Sequence, residues 1–158
     1  MRVGIQWQGS PTFRYDAQRS IPLAQFAPLA EIAGVRMLSL QKNFGVEQLA
    51  GAPWPLEDLG SRLDEDGRAF CETAAVMKNL DLVITSDTSI AHLAGALGVP
   101  VWVALSTSPD WRWLLEREDS PWYPAMRLFR QTRQGDWAGV FQRIKAELAQ
   151  TAARHPRS

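Results

Sequence analysis

Residues 81–105 carry the sequence DLVITSDTSIAHLAGALGVPVWVAL. Asp81 to Thr85 is a short apolar run that predicts a strand. Thr88 to Leu97 predicts a helix, Gly98 ends it, and Pro100 to Leu105 predicts a second strand that is apolar enough to be buried on both faces. A strand, a helix and a following strand form the repeating unit of a parallel sheet with right-handed connections.

The rest of the chain continues this alternation. Further strands are predicted at Val3 to Trp7, Val35 to Leu40 and Met126 to Phe129. Helices are predicted from Leu23 to Ala30, from Asp64 to Leu80 and from Trp137 to Leu148, and Gln41 to Leu63 is predicted as loop with one helical turn. The sequence therefore predicts an α/β domain with a mainly parallel sheet.

Length favours one domain. The chain has 158 residues, of which 46% are hydrophobic and 22% are charged, and about 150 residues is a typical domain size. We expect this domain over residues 1–150 and a disordered tail over residues 151–158.

Charge and composition exclude several classes of partner. The 17 Lys and Arg residues balance the 17 Asp and Glu residues, so no overall positive field supports binding to nucleic acid, and any anion site must be local. One cysteine excludes an intrachain disulfide, and one cysteine with two histidines cannot form a Cys/His zinc site. No apolar stretch approaches the ~20 residues of a membrane span. We expect a cytoplasmic protein without a metal.

The turn after the strand at residues 81–85 is a candidate anion site. Ligands of open parallel sheets bind outside the carboxyl ends of the strands. Free N–H groups at the start of the following helix, together with the hydroxyls of Thr88 and Ser89, could hold a phosphate or diphosphate. His92 lies opposite the apolar stripe of this helix, beside Gly95, which leaves room for a ligand group. The alternative is that Asp87 or Thr88 only caps the helix and that His92 is an ordinary surface residue.

The long polar loop after the first strand supplies a second group of candidates. It carries Gln8, Ser10, Arg14, Asp16 and Arg19. The planar guanidinium of arginine can chelate a phosphate, and Arg19 is the better candidate because it stands just before a predicted helix at the same sheet edge. A solvated Arg–Asp pair is the alternative for Arg14. Neither a Walker A loop nor a Gly-x-Gly-x-x-Gly motif follows any predicted strand.

Residues 81–100 resemble the signature of GT-B glycosyltransferases of the heptosyltransferase type, and its Asp-Thr-Ser-x-x-His core is fairly specific. They also resemble the C-terminal domain of bacterial tetratricopeptide-repeat glycosyltransferases related to the O-linked N-acetylglucosamine transferases. Residues 3–10 and 19–23 are similar to the strand and basic loop that open the nucleotide-sugar-binding half of these enzymes, and residues 122–137 are similar to the repeat-containing group. The resemblance implies a Rossmann-like three-layer domain, one half of a GT-B fold.

The resemblance also implies a metal-independent transferase, without a cofactor, whose C-terminal domain holds the diphosphate of a nucleotide sugar. Carried over by position, the implied binding residues are Gln8, Ser10, Arg19, Asp87, Thr88, Ser89 and His92. Arg19 and His92 would stabilise the donor or its diphosphate leaving group, which is electrostatic work that can replace a metal ion. Heptosyltransferases usually have a glycine after the Asp-Thr pair, where this chain has Ser89.

The family's N-terminal acceptor domain, which supplies the proposed base, has no counterpart in these residues. The chain is then a piece of a larger enzyme, joined to an acceptor or repeat domain and inactive alone, or a stand-alone binding module. A second hypothesis is a non-catalytic interaction module that docks a partner through Trp111, Trp113 and Trp122, since exposed aromatic residues mark interfaces.

Overall fold

The computed structural model describes residues 1–155 and shows one sheet of six parallel strands in the order β3-β2-β1-β4-β5-β6. The strands are β1 (Arg2–Gln6), β2 (Arg36–Ser39), β3 (Glu57–Asp58), β4 (Leu82–Ser86), β5 (Val101–Leu105) and β6 (Met126–Arg130). The α-helices are α1 (Asp16–Arg19), α2 (Ala27–Ala30), α3 (Cys71–Met77), α4 (Ser89–Ala96) and α5 (Trp137–Arg154). This is a Rossmann-like α/β domain, as the sequence predicts.

The strand order places a switch in direction between β1 and β4. From β1 the chain builds outward through β2 to β3, and from β4 it builds the other way through β5 to β6. The loops that follow β1 and β4 therefore diverge and leave a crevice at the carboxyl ends of these two strands. Such a crevice is where open α/β sheets bind ligands.

Two apolar layers hold the sheet between helices. Alternate residues of β4 point to opposite faces, so Ile84 packs in the cluster with Phe141 of α5, whereas Val83 packs in the cluster with Met77 of α3 and Ala94 of α4. All five side chains are fully buried or nearly so. The central strands β4 and β5 are buried along their whole length, as their near-continuous apolar sequences predict.

The predicted strands are confirmed, each end lying within one residue of its predicted position. The predicted first helix is a 3₁₀ turn at Leu23–Phe26 that continues into α2. The structure adds α1 within the polar loop. It also adds β3 and two 3₁₀ turns, Val46–Gly51 and Gly60–Arg62, within the segment predicted as loop with one helical turn.

The predicted start of the helix at residues 64–80, which is α3 in the structure, is wrong. The helix begins at Cys71 and not at Asp64, because the backbone takes positive φ angles at Gly67 and Phe70 that break a helical path. Asp64 still stabilises the helix start from outside, since its carboxylate accepts hydrogen bonds from the Glu72 N–H at 2.7 Å and from the Thr73 hydroxyl at 2.5 Å.

The last helix is longer than predicted. It continues to Arg154, so residues 151–154, which the sequence assigns to a disordered tail, are helical. Residues 156–158 of that predicted tail lie outside the described part of the chain. Asp136 stabilises the start of α5 by accepting a hydrogen bond from Gly139 N–H at 2.9 Å. Within residues 1–155, none of the helices has the length and apolar character that a membrane crossing requires.

Candidate functional site

Two cavities open at the carboxyl ends of the strands, on either side of the start of α4. The first has a volume of about 760 Å³ and the second about 380 Å³, and Thr88 and Ser89 line both. Arg19, Asp87 and His92 line the first cavity. Gln8 and Ser10 line the second. The structure thus brings all seven predicted binding residues to one edge of the sheet, in two adjoining cavities.

Arg19 lies beside the turn that follows β4. Its Nε donates a hydrogen bond to Asp16 Oδ1 at 3.0 Å, and its Nη1 donates to the backbone carbonyl of Asp87 at 2.8 Å. The guanidinium also lies over the ring of Phe13, 4.3 Å from the ring centroid. These contacts use two of its five N–H groups, and the side chain remains 20% exposed. Arg19 therefore presents a fixed positive charge with free donors to the first cavity.

The start of α4 differs in detail from the expectation. The Thr88 hydroxyl donates inward to Gln6 Oε1 at 2.7 Å, so its proton does not face a ligand. In the described part of the chain no side chain caps the start of α4, and the Asp87 carboxylate bonds to Asp110 N–H instead, which contradicts the simple capping alternative for Asp87 and Thr88. Within residues 1–155 the N–H groups of Ser89 and Ile90 have no acceptor, as is usual in the first turn of a helix. The anion-binding capacity here comes from the backbone and from the exposed Ser89.

Two glutamines that the sequence analysis does not single out shape the site. Gln6 is buried at the end of β1 and accepts hydrogen bonds from Thr85 and Thr88, both at 2.7 Å. Gln41, which is 1% exposed, follows β2. Its Oε1 accepts from the N–H groups of Trp7 and Gln8, and its Nε2 donates to the carbonyl of Gln8 and to that of Phe44. Both glutamines could have been identified from the sequence, because each is a polar side chain at the carboxyl end of an apolar strand.

His92 is held by aromatic residues. Its ring stacks on that of the buried Trp113, with 5.0 Å between centroids and 21° between planes, and its Nδ1 lies 3.1 Å from the Tyr123 hydroxyl. Burial lowers the pKa of His92 below its ordinary value. The nearby Arg112 acts in the same direction, whereas the carboxylates of Asp87 and Asp110 oppose the shift. His92 is therefore neutral near pH 7.

The room beside His92 is not open in the way the sequence suggested. Gly95 is buried, and the ring of Tyr123 fills the space above it. A Cβ atom at position 95 would lie 2.5 Å from Tyr123 Cγ, so the glycine is needed for this close approach. Tyr123 lies in an irregular segment with no sequence signal that would place it beside α4.

The charges around the first cavity balance. Arg19 and Arg112 line it together with Asp87 and Asp110, and Arg112 forms an ion pair with Asp110 at 2.8 Å. The Asp87 carboxylate accepts a hydrogen bond of 3.4 Å from the Asp110 N–H. Within residues 1–155, no three His, Cys, Asp or Glu side chains are grouped so that they could hold a metal ion.

The three tryptophans of the hypothetical docking surface differ in burial. Trp113 is fully buried and belongs to the core, so its assignment to the surface is wrong. Trp111 and Trp122 are 68% and 55% exposed, and the Trp122 indole donates to the Arg112 carbonyl at 2.9 Å.

The part of the chain that forms the turn and α4 resembles known transferases. The sequence model of glycosyltransferase family 9 (heptosyltransferase) matches residues 69–111, which include Asp87, Thr88, Ser89 and His92. The structure of E. coli ADP-heptose lps heptosyltransferase II is similar over 95% of this chain and 47% of that chain, with a TM-score of 0.57 and 16% sequence identity. The chain shares its fold with about half of a heptosyltransferase.

A longer protein is similar in sequence. Protein FlbA of Caulobacter vibrioides is 28% identical over 159 residues, which cover 96% of this chain and 26% of that protein. The chain therefore spans about a quarter of the length of this curated relative and about half of the length of the transferase structure.

Proposed function

We propose that this chain is the donor-binding domain of a metal-independent glycosyltransferase and that it holds the diphosphate of a nucleotide sugar. The observation that carries the proposal is the hydrogen bond from Arg19 to the Asp87 carbonyl. This bond fixes a guanidinium beside the free N–H groups of α4, at the switch between β1 and β4. The family 9 match over residues 69–111 supports the same turn as the binding element.

The first cavity has the properties that a diphosphate requires. Its volume of about 760 Å³ is within the range of small-molecule sites, about 300–1,000 Å³. Arg19 supplies a planar guanidinium, and the N–H groups of Ser89 and Ile90 add fixed dipoles. The side-chain charges that line this cavity balance, so attraction of a diphosphate would depend on the local placement of Arg19 and of these N–H groups and not on a net positive charge.

The proposed reaction is displacement at the anomeric carbon of the donor sugar. An acceptor hydroxyl loses its proton to a base and attacks that carbon, while the bond from the carbon to the diphosphate oxygen breaks. Arg19 and the start of α4 stabilise the charge that develops on the departing diphosphate, and His92 contacts the donor as a neutral group. We propose that the base comes from an acceptor domain outside this chain, as in the two-domain GT-B enzymes and their repeat-containing relatives. The chain alone would bind the donor without turnover.

Calorimetry with ADP-, UDP- and GDP-linked sugars tests the proposal. Arg19→Ala removes a charge-assisted contact of about 1.5–3 kcal/mol, so it should weaken binding about 10- to 150-fold. Arg36→Ala is the matched control, because it also removes an ion-paired arginine, at the amino end of β2. Added EDTA should leave the affinity unchanged. Absence of binding by all three donors at millimolar concentration would refute the proposal.

A further inference from the structure

His92 is clamped so that only one of its ring nitrogens is available to a ligand. The Tyr123 hydroxyl lies 3.1 Å from Nδ1, and the rings of His92 and Tyr123 meet edge to face with 5.8 Å between centroids. One face of the imidazole is covered by Trp113. Within residues 1–155, Nε2 has no hydrogen-bond partner, while His92 lines the first cavity. Nε2 is therefore the nitrogen that a bound ligand would meet.

The position of Tyr123 is itself determined by α4. Gly95 stands one turn after His92 on the same helix, and a Cβ there would approach Tyr123 Cγ to 2.5 Å and Cδ1 to 2.7 Å. The tyrosine ring rests directly on the helix backbone, and its hydroxyl reaches back to His92. The spacing of His92 and Gly95 thus sets both the ring contact and the hydrogen bond.

The direction of this bond decides which tautomer of His92 is present. A neutral imidazole has one N–H donor and one bare acceptor nitrogen, and a neighbouring hydrogen bond selects which nitrogen carries the proton. A phenol that donates to Nδ1 leaves the proton on Nε2. We propose that Tyr123 donates to Nδ1 of His92 and thereby positions His92 as a neutral Nε2–H donor toward the first cavity. The effect of this donor on ligand binding rests on the proposed function, whereas the tautomer of His92 does not.

The tautomer can be measured directly on the ¹⁵N-labelled chain. Two-bond ¹H–¹⁵N correlation spectra at pH 7.5 distinguish a protonated Nε2 from a protonated Nδ1. We expect His92 to be the Nε2–H tautomer in the wild-type chain, and to shift toward a mixture of both tautomers in Tyr123→Phe. His155, the other histidine in the sequence, pairs with Asp81 at the far end of the sheet and serves as an internal control whose signals should not move.

A second variant separates the hydroxyl from the tyrosine ring. Gly95→Ala retains the hydroxyl but displaces the ring, and it should shift the His92 signals in the same direction as Tyr123→Phe. A wild-type His92 protonated at Nδ1, or an unchanged tautomer in both folded variants, would overturn the inference. The wild-type spectrum alone decides the direction of the bond if neither variant folds.

The effect on the ligand is measured with ADP. An even mixture of the two tautomers leaves about half of the Tyr123→Phe chains with the Nε2–H donor, so ADP binding should weaken about 2-fold. The same change in a His92→Gln background should have no further effect, since the tyrosine acts through the imidazole. An equal loss in both backgrounds would contradict positioning. Failure of the wild-type chain to bind ADP, UDP and GDP alike would count against the proposed function and leave the tautomer result intact.

Discussion

Replacement of Gln41 by leucine should destabilise the backbone at the carboxyl end of β1, beside the site. Gln41 follows β2, and its amide joins the end of β1 to the loop at Phe44 through four hydrogen bonds of 2.6–3.0 Å. Leucine has a similar size but no polar atom, so it breaks all four bonds without opening a large cavity. The backbone groups of Trp7 and Gln8 lose their partners, and these residues lead directly into the loop that carries Arg19.

The expected loss follows from the burial of each bond. The bond from Trp7 N–H is buried, so removal of its acceptor leaves an unsatisfied donor at about 1–3 kcal/mol. The other three bonds are only partly buried, and water can replace them at about 0.5 kcal/mol each. The free energy of unfolding should therefore fall by about 3 kcal/mol. For a chain of this length that corresponds to a decrease of about 6–12 °C in Tm.

Urea unfolding monitored by tryptophan fluorescence and circular dichroism measures this change. Gln142→Leu is the matched control, because Gln142 is exposed on α5 and its replacement should alter stability by less than about 0.5 kcal/mol. A loss below about 1 kcal/mol for Gln41→Leu would refute the reasoning, since it would mean that the four bonds contribute little beyond what water supplies.

Three further changes test other parts of the site. Thr88→Val should destabilise the chain by about 1–2 kcal/mol, because it removes the buried bond to Gln6, and Thr88→Ser should restore most of that loss in urea unfolding. Gly60→Ala should cost about 1–3 kcal/mol, because its Cβ would overlap the Gln41 backbone carbonyl; a wild-type melting temperature would contradict this. Because burial lowers the pKa of His92, the unfolded chain takes up the proton first. The stability that the neutral ring provides is complete above about pH 6.5 and is lost as the pH falls through the lowered pKa. Wild-type chain should thus lose more stability on acidification than His92→Gln, and parallel pH profiles would exclude the effect.

The parallel sheet could be predicted because its central strands are buried on both faces. Such strands are short, near-continuous apolar runs, which are visible in the sequence. The strand β3 has only two residues, Glu57 and Asp58, and no periodicity is visible at that length. The start of α3 was misplaced because Asp64 stabilises the helix through its side chain from seven residues before Cys71, whereas sequence signals assume a cap next to the first turn.

The sequence predicts which residues lie near one another in the site better than it predicts the hydrogen bonds and packing contacts between them. The rule for parallel sheets brings Arg19 and Asp87 to one edge although 68 residues separate them, and the structure joins them by a hydrogen bond. The inward rotation of the Thr88 hydroxyl depends on the opposing Gln6 of another strand, and the clamp on His92 depends on Tyr123 from an irregular segment. Such contacts follow from tertiary packing, so local patterns do not reveal them.

The contacts of Arg19 also determine whether its side chain loses conformational freedom on folding or on ligand binding. A mobile arginine that closed on an anion would lose up to about 2 kcal/mol of rotamer entropy at the moment of binding. Here Asp16, Phe13 and the Asp87 carbonyl immobilise the side chain as the domain folds. Ligand capture by this cavity would therefore need no reordering of its principal cation, and the rate of association would be set by diffusion and desolvation of the anion.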